Sequence, residues 1–333
     1  MTYSVGGLIQ ATDYNGFAND SANNVGNIWS TGSGDKGYGQ TAIDNVSAGG
    51  TVTATQWATL VNNIAAIGSH TGTTITARTA PVTGNTISIL DNVATDINSV
   101  TADRGNAAAS GTEVGTFSGT TSKTTATGSG TAAFTITFTH TVTFASAAAT
   151  RFFFNAGGLI RLQYGKSSTG TDADPDWNTL SGQCGAIFFS GRINSTTNTI
   201  AGQAYTGTTR LGGGGGTQTT LATTTGFYNL TAGAAATTIF QLNNASSPYT
   251  PDFIRTTVAL NAGSTILTFV TTWVDDGSSG AGTSANISGG TATSSPSTTI
   301  TGTAPTTLVT FRPPSTTYLS ASWGTPTIAA SVA

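Results

Sequence analysis

Residues 134–164 read FTITFTHTVTFASAAATRFFFNAGGLIRLQY. From Phe134 to Phe144 the even positions are Phe, Ile, Phe, His, Val and Phe, and every odd position is Thr. Only a strand turns a period of two into two distinct faces, here one for a core and one a lawn of threonine. After small residues from Ala145 to Thr150, the pattern resumes at Arg151 with Phe152 and Phe154. It continues to Ile160, Leu162 and Tyr164 beyond Asn155-Ala156-Gly157-Gly158. Paired glycines inside such a run predict a bulge or a close backbone approach. The stretch therefore predicts two strands, Phe134–Phe144 and Arg151–Tyr164, paired antiparallel around an aromatic face.

Further strands are expected at Gly185–Arg192, Thr224–Leu230, Thr237–Leu242, Phe253–Leu260 and Ser264–Asp275, with weaker ones at Thr298–Thr303 and Thr306–Phe311. Short strands joined by Gly/Ser/Asp turns indicate an antiparallel β-sandwich, jelly-roll-like, with Gly212–Gly216 as a flexible loop within it. The N-terminal part reads differently. Thr53 and Gln56 have capping-box spacing, and Trp57, Leu60, Val61, Ile64 and Ile67 mark one helical face that Gly68 would close. A second periodic segment spans Ile89–Thr101, with Asp91 near its start, and a weak, Asn/Gly-rich helix is expected over Thr12–Ile28. The chain thus divides into a docking region of short helices and loops (1–105), a Gly/Ser/Thr/Ala-rich linker (106–131), the sandwich (132–312) and an extended C-terminal tail expected to run along a surface (313–333).

Charged residues make up 8% of the 333, against roughly a quarter in ordinary domains. There are three lysines and one glutamate, Glu113. Disorder is not implied, because disordered chains pair low hydrophobicity with high net charge, whereas this one is 37% hydrophobic with a net charge of -3. The surface must then be rich in Ser, Thr, Gly and Asn, and partly covered by neighbours in an assembly. Dispersed Lys and Arg argue against nucleic acid as a partner, and no apolar run is long enough to span a membrane. The first residues, MTYSVGGLIQ, lack a basic segment followed by an apolar one, which implies no Sec export.

Residues that could carry chemistry are few. The histidines are His70 and His140 and the one thiol is Cys184. His140 takes an inward slot of the strand alternation and reads as a hydrogen-bonded core residue. His70, just after Gly68, reads as a partner for the last carbonyls of its helix, and Cys184 as a buried small hydrophobe. Asp172, Asp174 and Asp176, in TGTDADPDWNTL, have the spacing of the first calcium-loop ligands. Pro175 stands among them, however, and both the loop glycine and the final glutamate are missing. A solvated turn, a calcium site and a carboxylate pair for glycan hydrolysis are the three readings. Asp275-Asp276 reads as the end of an apolar strand. Gly212–Gly216 lacks the Gly-Lys-Ser/Thr of a phosphate loop, and no Gly-x-Ser-x-Gly elbow is present. Tyr14, Phe17, Trp29 and Tyr38 are either docking anchors or a local core. No catalytic, cofactor-binding or metal-ligating residue is assigned.

Several segments are similar, as a set, to virion structural proteins of tailed bacteriophages, of the fibre-like or tail-associated kind found in aquatic phages. TITFTHTVTFASAAATRFFFNAGGLIRL resembles a recurring strand-turn-strand of these proteins. GFYNLTAGAAATTIFQLNNASSPYTPDFIRTTVAL, followed by a strand ending in VDD, resembles a companion segment. GSGDKGYGQ and TVTATQWATLVNNIAAIGSHTGTTIT resemble their head region. Together they cover about half of the chain in the expected order, and they are patterns of fold rather than of a catalytic site. The resemblance implies a non-enzymatic virion component assembled in the host cytoplasm, in a tail fibre or at the tail or baseplate, with head or neck decoration as the alternative. Its expected partners are other virion proteins, further copies of itself and host surface glycan, without nucleic acid or membrane insertion; fibre-like composition by itself suggests a homotrimer. A glycan-binding or glycan-depolymerising fibre is the rival reading. Thr-rich faces suit stacked or trimeric packing, since paired threonines hydrogen-bond without unpaired charge.

Overall fold

The computed structural model describes residues 10–84, 92–108, 121–122, 134–167, 173–245, 252–275, 300 and 302–333. Helices come first: α1 (Ala11–Asn15) running into a π-helical turn (Gly16–Asp20), then α2 (Val25–Trp29), α3 (Ala54–Thr71) and α4 (Val93–Ala102). There follow β1 (Thr121–Ser122), β2 (Phe134–Thr143), α5 (Ala147–Asn155), β3 (Leu159–Gly165), α6 (Ala173–Cys184) and β4 (Ala186–Phe189). The chain continues through β5 (Asn198–Ile200), β6 (Gln203–Tyr205), β7 (Thr208–Leu211), β8 (Thr217–Leu221) and β9 (Thr237–Asn243). It ends with β10 (Phe253–Leu260), β11 (Ile266–Asp275), β12 (Thr306–Arg312) and β13 (Thr327–Val332).

The protein is mainly β. One antiparallel sheet has the order β1-β12-β3-β4-β7 and the other β13-β2-β11-β10-β9-β8. They face each other as a sandwich. Across the interface the Tyr164 ring of β3 stacks on Phe240 of β9 at 5.9 Å, and Phe189 of β4 meets Phe269 of β11 edge-on at 5.6 Å. Trp273 Nε1 donates to Thr307 Oγ1 at 3.1 Å. The period-two segments fold as expected because each alternate residue enters this space: Ile136, Phe138, His140 and Val142 of β2 are buried, as are Ile254, Thr256, Val258 and Leu260 of β10. The interior also holds a polar chain in which the Tyr164 hydroxyl meets Thr256 Oγ1 at 2.8 Å and Thr256 meets Thr271 Oγ1 at 2.8 Å. Thr256 donates in one of these bonds and accepts in the other, so each of the three buried hydroxyls has a partner.

The expected strand Arg151–Tyr164 is corrected in its first half. Ala147–Asn155 is helical, with Ser146 Oγ accepting from Ala149 N at 3.0 Å as its N-cap. Gly157, at φ 93, turns the chain into β3. β2 and β3 are consequently not a pair: β2 lies between β13 and β11, and β3 between β12 and β4. α5 closes one end of the sandwich, where Phe153 and Phe154 pack on Phe144 and Phe154 stacks on Phe227 at 4.7 Å. At the other end Trp177 of α6 meets Trp273 edge-on at 6.0 Å.

Other expectations change as well. Thr224–Leu230 is not a strand; its centre, Phe227–Asn229, is a 3-10 turn that carries Phe227 onto α5. The tail from 313 is extended but not superficial, because Leu319 and Trp323 are buried and β13 pairs with β2. The Thr12–Ile28 helix is broken into α1, the π-helical turn and α2. α3 begins at its capping box, with Thr53 Oγ1 accepting from Gln56 N and Gln56 Oε1 accepting from Thr53 N, but it runs past Gly68 to Thr71. Its C-cap is Gly72 in the left-handed conformation. Ile89–Asp91 and half of Thr298–Thr303 lie outside the described residues, as does most of the linker.

Residues before 105 share one contiguous apolar cluster with the strands. Tyr14 and Phe17 pack on Trp57 of α3, and with Tyr38 they are buried, so these three aromatics fill a core rather than stand as docking anchors; Trp29 is partly buried against the same cluster. The glycine-spaced loop 30–40 is held against the α5 end. Arg151 donates to the carbonyls of Gly34, Thr31 and Lys36, and Asn155 Nδ2 donates to Gly37 O at 2.9 Å. Gln40 joins the loop to the C-terminal tail, donating to Ser320 O at 2.9 Å while accepting from Ser320 N at 2.8 Å.

Candidate functional site

The residues singled out for chemistry lie on separate elements, and most serve the fold. Asp172 lies outside the described residues. Asp174 and Asp176 fall in the first turn of α6, so the backbone there is a helix start rather than a turn; the side chains of residues 173–176 are not described. Among the described residues no three of His, Cys, Asp or Glu converge on a point where a metal ion could sit. Cys184 ends α6 fully buried, with its thiol pushed up by loss of solvent, which disfavours the reactive thiolate. Asp275 is buried where β11 ends, and His140 is buried in the middle of β2 opposite Phe269.

His70 has a different role from the one its sequence position implies. Because α3 continues to Thr71, the ring does not reach back to its own helix end; Nε2 lies 3.0 Å from Ala156 O, in the turn between α5 and β3. Tyr38 packs edge-on against the ring at 5.4 Å. Burial holds His70 well below its ordinary 6.5, at about 4, with the Ala156 hydrogen bond opposing that shift. The ring is neutral at pH 7, so Nε2 carries the proton and donates. Beside it, Tyr38 Oη donates to Arg104 O at 2.8 Å. Arg104 reaches Asp35 Oδ2 at 2.6 Å and Asn194 Oδ1. This polar knot joins α3, the glycine loop, α5 and the segment before β5. Its charges are paired within the molecule, and it reads as a joint.

A groove of about 480 Å³ runs between α3 and the extended segment Thr73–Arg78, lined by Val61, Ala65, Ser69, Thr74, Thr76 and Arg78. The Arg78 guanidinium lies 2.5 Å from Asp96 of α4, whose carboxylate also accepts from Thr76 N at 3.2 Å. These bonds fix the groove's wall.

A broad organised surface is the outer face of the six-stranded sheet. Thr135, Thr137, Thr139, Thr141 and Thr143 all point outward from β2 and retain solvent exposure. The registers align them in rows. Thr143 stands beside Ile266 and Thr327; Thr141 beside Thr268 and Ala329; Thr139 beside Val270 and Ser331. Thr137 stands beside Thr272 and then Arg255, and Thr135 beside Val274 and then Phe253. Arg255 is the one charged residue in these rows, and its guanidinium lies over the Phe253 ring at 5.2 Å. The other sheet is treated differently. Its outer face carries Leu159 and Phe188, which form a second apolar cluster with Ile200 and Tyr205 of the β5–β6 hairpin. The fold thus packs a hairpin on part of one outer face, whereas among the described residues no helix or hairpin packs on the threonine face. The alternation in residues 134–144 announces the face, but its width comes from β10, β11 and β13, whose register no local pattern reveals. Comparisons with protein-family models, with curated proteins and with solved structures find no match.

Proposed function

We propose that this chain is a non-enzymatic building block of a tailed-phage virion, placed in a tail fibre or at the tail or baseplate. The observation that carries the reading is the wide outer sheet face of aligned threonines with a single charge. A protein that stays dispersed ordinarily charges such a face, and a charge-depleted face is what the centre of a protein interface presents. Two further features support it. Only 8% of the chain is charged, and its histidines and thiol are buried in the core rather than displayed in a cleft. The resemblance of the strand and head segments to tail-associated virion proteins supplies the biological setting. In this reading the partners are other virion proteins and further copies of the chain.

The test is immunogold electron microscopy of particles of the phage that encodes the chain. Gold at the tail or baseplate is the expected result. Gold at the head or collar would move the protein to a decoration role, and unlabelled intact particles would overturn the virion reading.

A further inference from the structure

We infer that the outer face of the six-stranded sheet is the contact surface for a second copy of this chain, packed face to face about a two-fold axis. The inference rests on the assembly reading above and names the surface and the partner.

The argument begins with area. Strands β13, β2, β11, β10 and β9 hold six to ten residues each. At about 3.3 Å per residue and about 4.8 Å between strands, they outline roughly 650 Å² per copy. Two such faces bury roughly 1,300 Å², within the range of about 1,200–2,000 Å² that specific stable complexes use. Shape is no obstacle. Sheets share one hand of twist, and two of them pack well when their strands lie about 30° apart.

Chemistry decides who the occupant is. A face built from Thr137, Thr139, Thr141, Thr143, Thr268 and Thr272 carries hydroxyls that are donors and acceptors at once, so it is complementary to itself without any change of sequence. An oppositely charged partner has little to recognise here, since Arg255 is already laid over Phe253. Ile266, Val270, Val274 and Phe253 add apolar area between the hydroxyl rows. A contact of one face with the same face is isologous and closes at two copies, so it produces a pair and not the three-fold assembly that fibre-like composition suggests. Thr139 and Val270 occupy the middle row, so the axis passes close to them and each copy presents that row to its twin.

The test uses the full-length purified chain. Sedimentation velocity across a concentration series is expected to show a monomer–dimer equilibrium. Val270→Lys and Thr139→Lys should weaken self-association by roughly a hundredfold or more while leaving the circular dichroism spectrum unchanged, because like charges then meet across the axis. As a check that does not depend on a disruptive side chain, Thr139→Cys should yield a covalent dimer with a short bismaleimide, Cys184 being buried and unreactive. A monomer at every concentration overturns the inference. So does a dimer that persists in both lysine variants, or one that leaves Thr139→Cys uncrosslinked. The two readings fail separately: gold-labelled particles with a monomeric chain would retain the virion role and remove this contact, and a dimer absent from particles would do the reverse.

Discussion

The joint at His70 makes a definite prediction about acid. Its ring is held at about 4 in the folded protein, against 6.5 for an ordinary histidine. Below pH 6.5 the unfolded chain takes up a proton at this position and the folded chain does not, so falling pH favours unfolding. The stability this group contributes is present in full above pH 6.5 and declines as the pH drops to about 4. Below that both states are protonated and the loss is complete. A difference of about 2.5 units corresponds to about 3 kcal/mol. The comparison protein is His70→Gln, whose side-chain amide can still donate to Ala156 O but does not titrate. Urea unfolding followed by tryptophan fluorescence, run from pH 7.5 to 4 on both proteins, gives the difference directly, with the carboxylates and His140 common to the two. The wild-type chain should lose about 3 kcal/mol relative to the variant over that interval. A difference that stays constant with pH would refute the argument that burial, and not merely a hydrogen bond, governs this ring.

Two other substitutions probe the way the N-terminal loop and the C-terminal tail are built into the core. Gly39 has φ 71, and a Cβ there would lie 2.4 Å from Phe152 Cδ2 and 2.7 Å from Ser322 Oγ, so Gly39→Ala should destabilise by about 3 kcal/mol through strain and overpacking together. A shift in the urea midpoint worth less than 1 kcal/mol, on the scale of about 0.5 for an innocuous surface change, would show that the loop yields instead of clashing. Trp323 is 2% exposed in the tail just before β13, and Trp323→Ala should cost about 3–5 kcal/mol in the same assay. A near-neutral result would mean that the tail lies on the surface, as its sequence alone implies.

Period two is a local property, and it was enough to identify β2, β9, β10, β11 and β12, because along most of each strand residues that face the core alternate with less buried ones. The capping box of α3 and its apolar face were legible for the same reason. α5 was not. Phe152, Phe153 and Phe154 are all buried, since the helix lies between the sandwich end on one side and the loop around Gly39 on the other. The side of the helix left to solvent carries only Ala147, Ala148 and Arg151, too little polar residue to mark a helical face, and its alternating Phe152 and Phe154 imitate a strand. β13 reads TIAASV and was invisible for the opposite reason: it is an edge strand of small residues, stabilised by backbone pairing to β2, which its side chains do not encode. The role of His70 likewise depended on where α3 ends and on a carbonyl 86 residues away. The threonine lawn of residues 135–143 was written in the sequence, but its becoming one broad face required β11 and β10 on one side and β13 on the other. Alternation dictates which way a side chain points, whereas which strand lies beside it is settled by how the whole core packs.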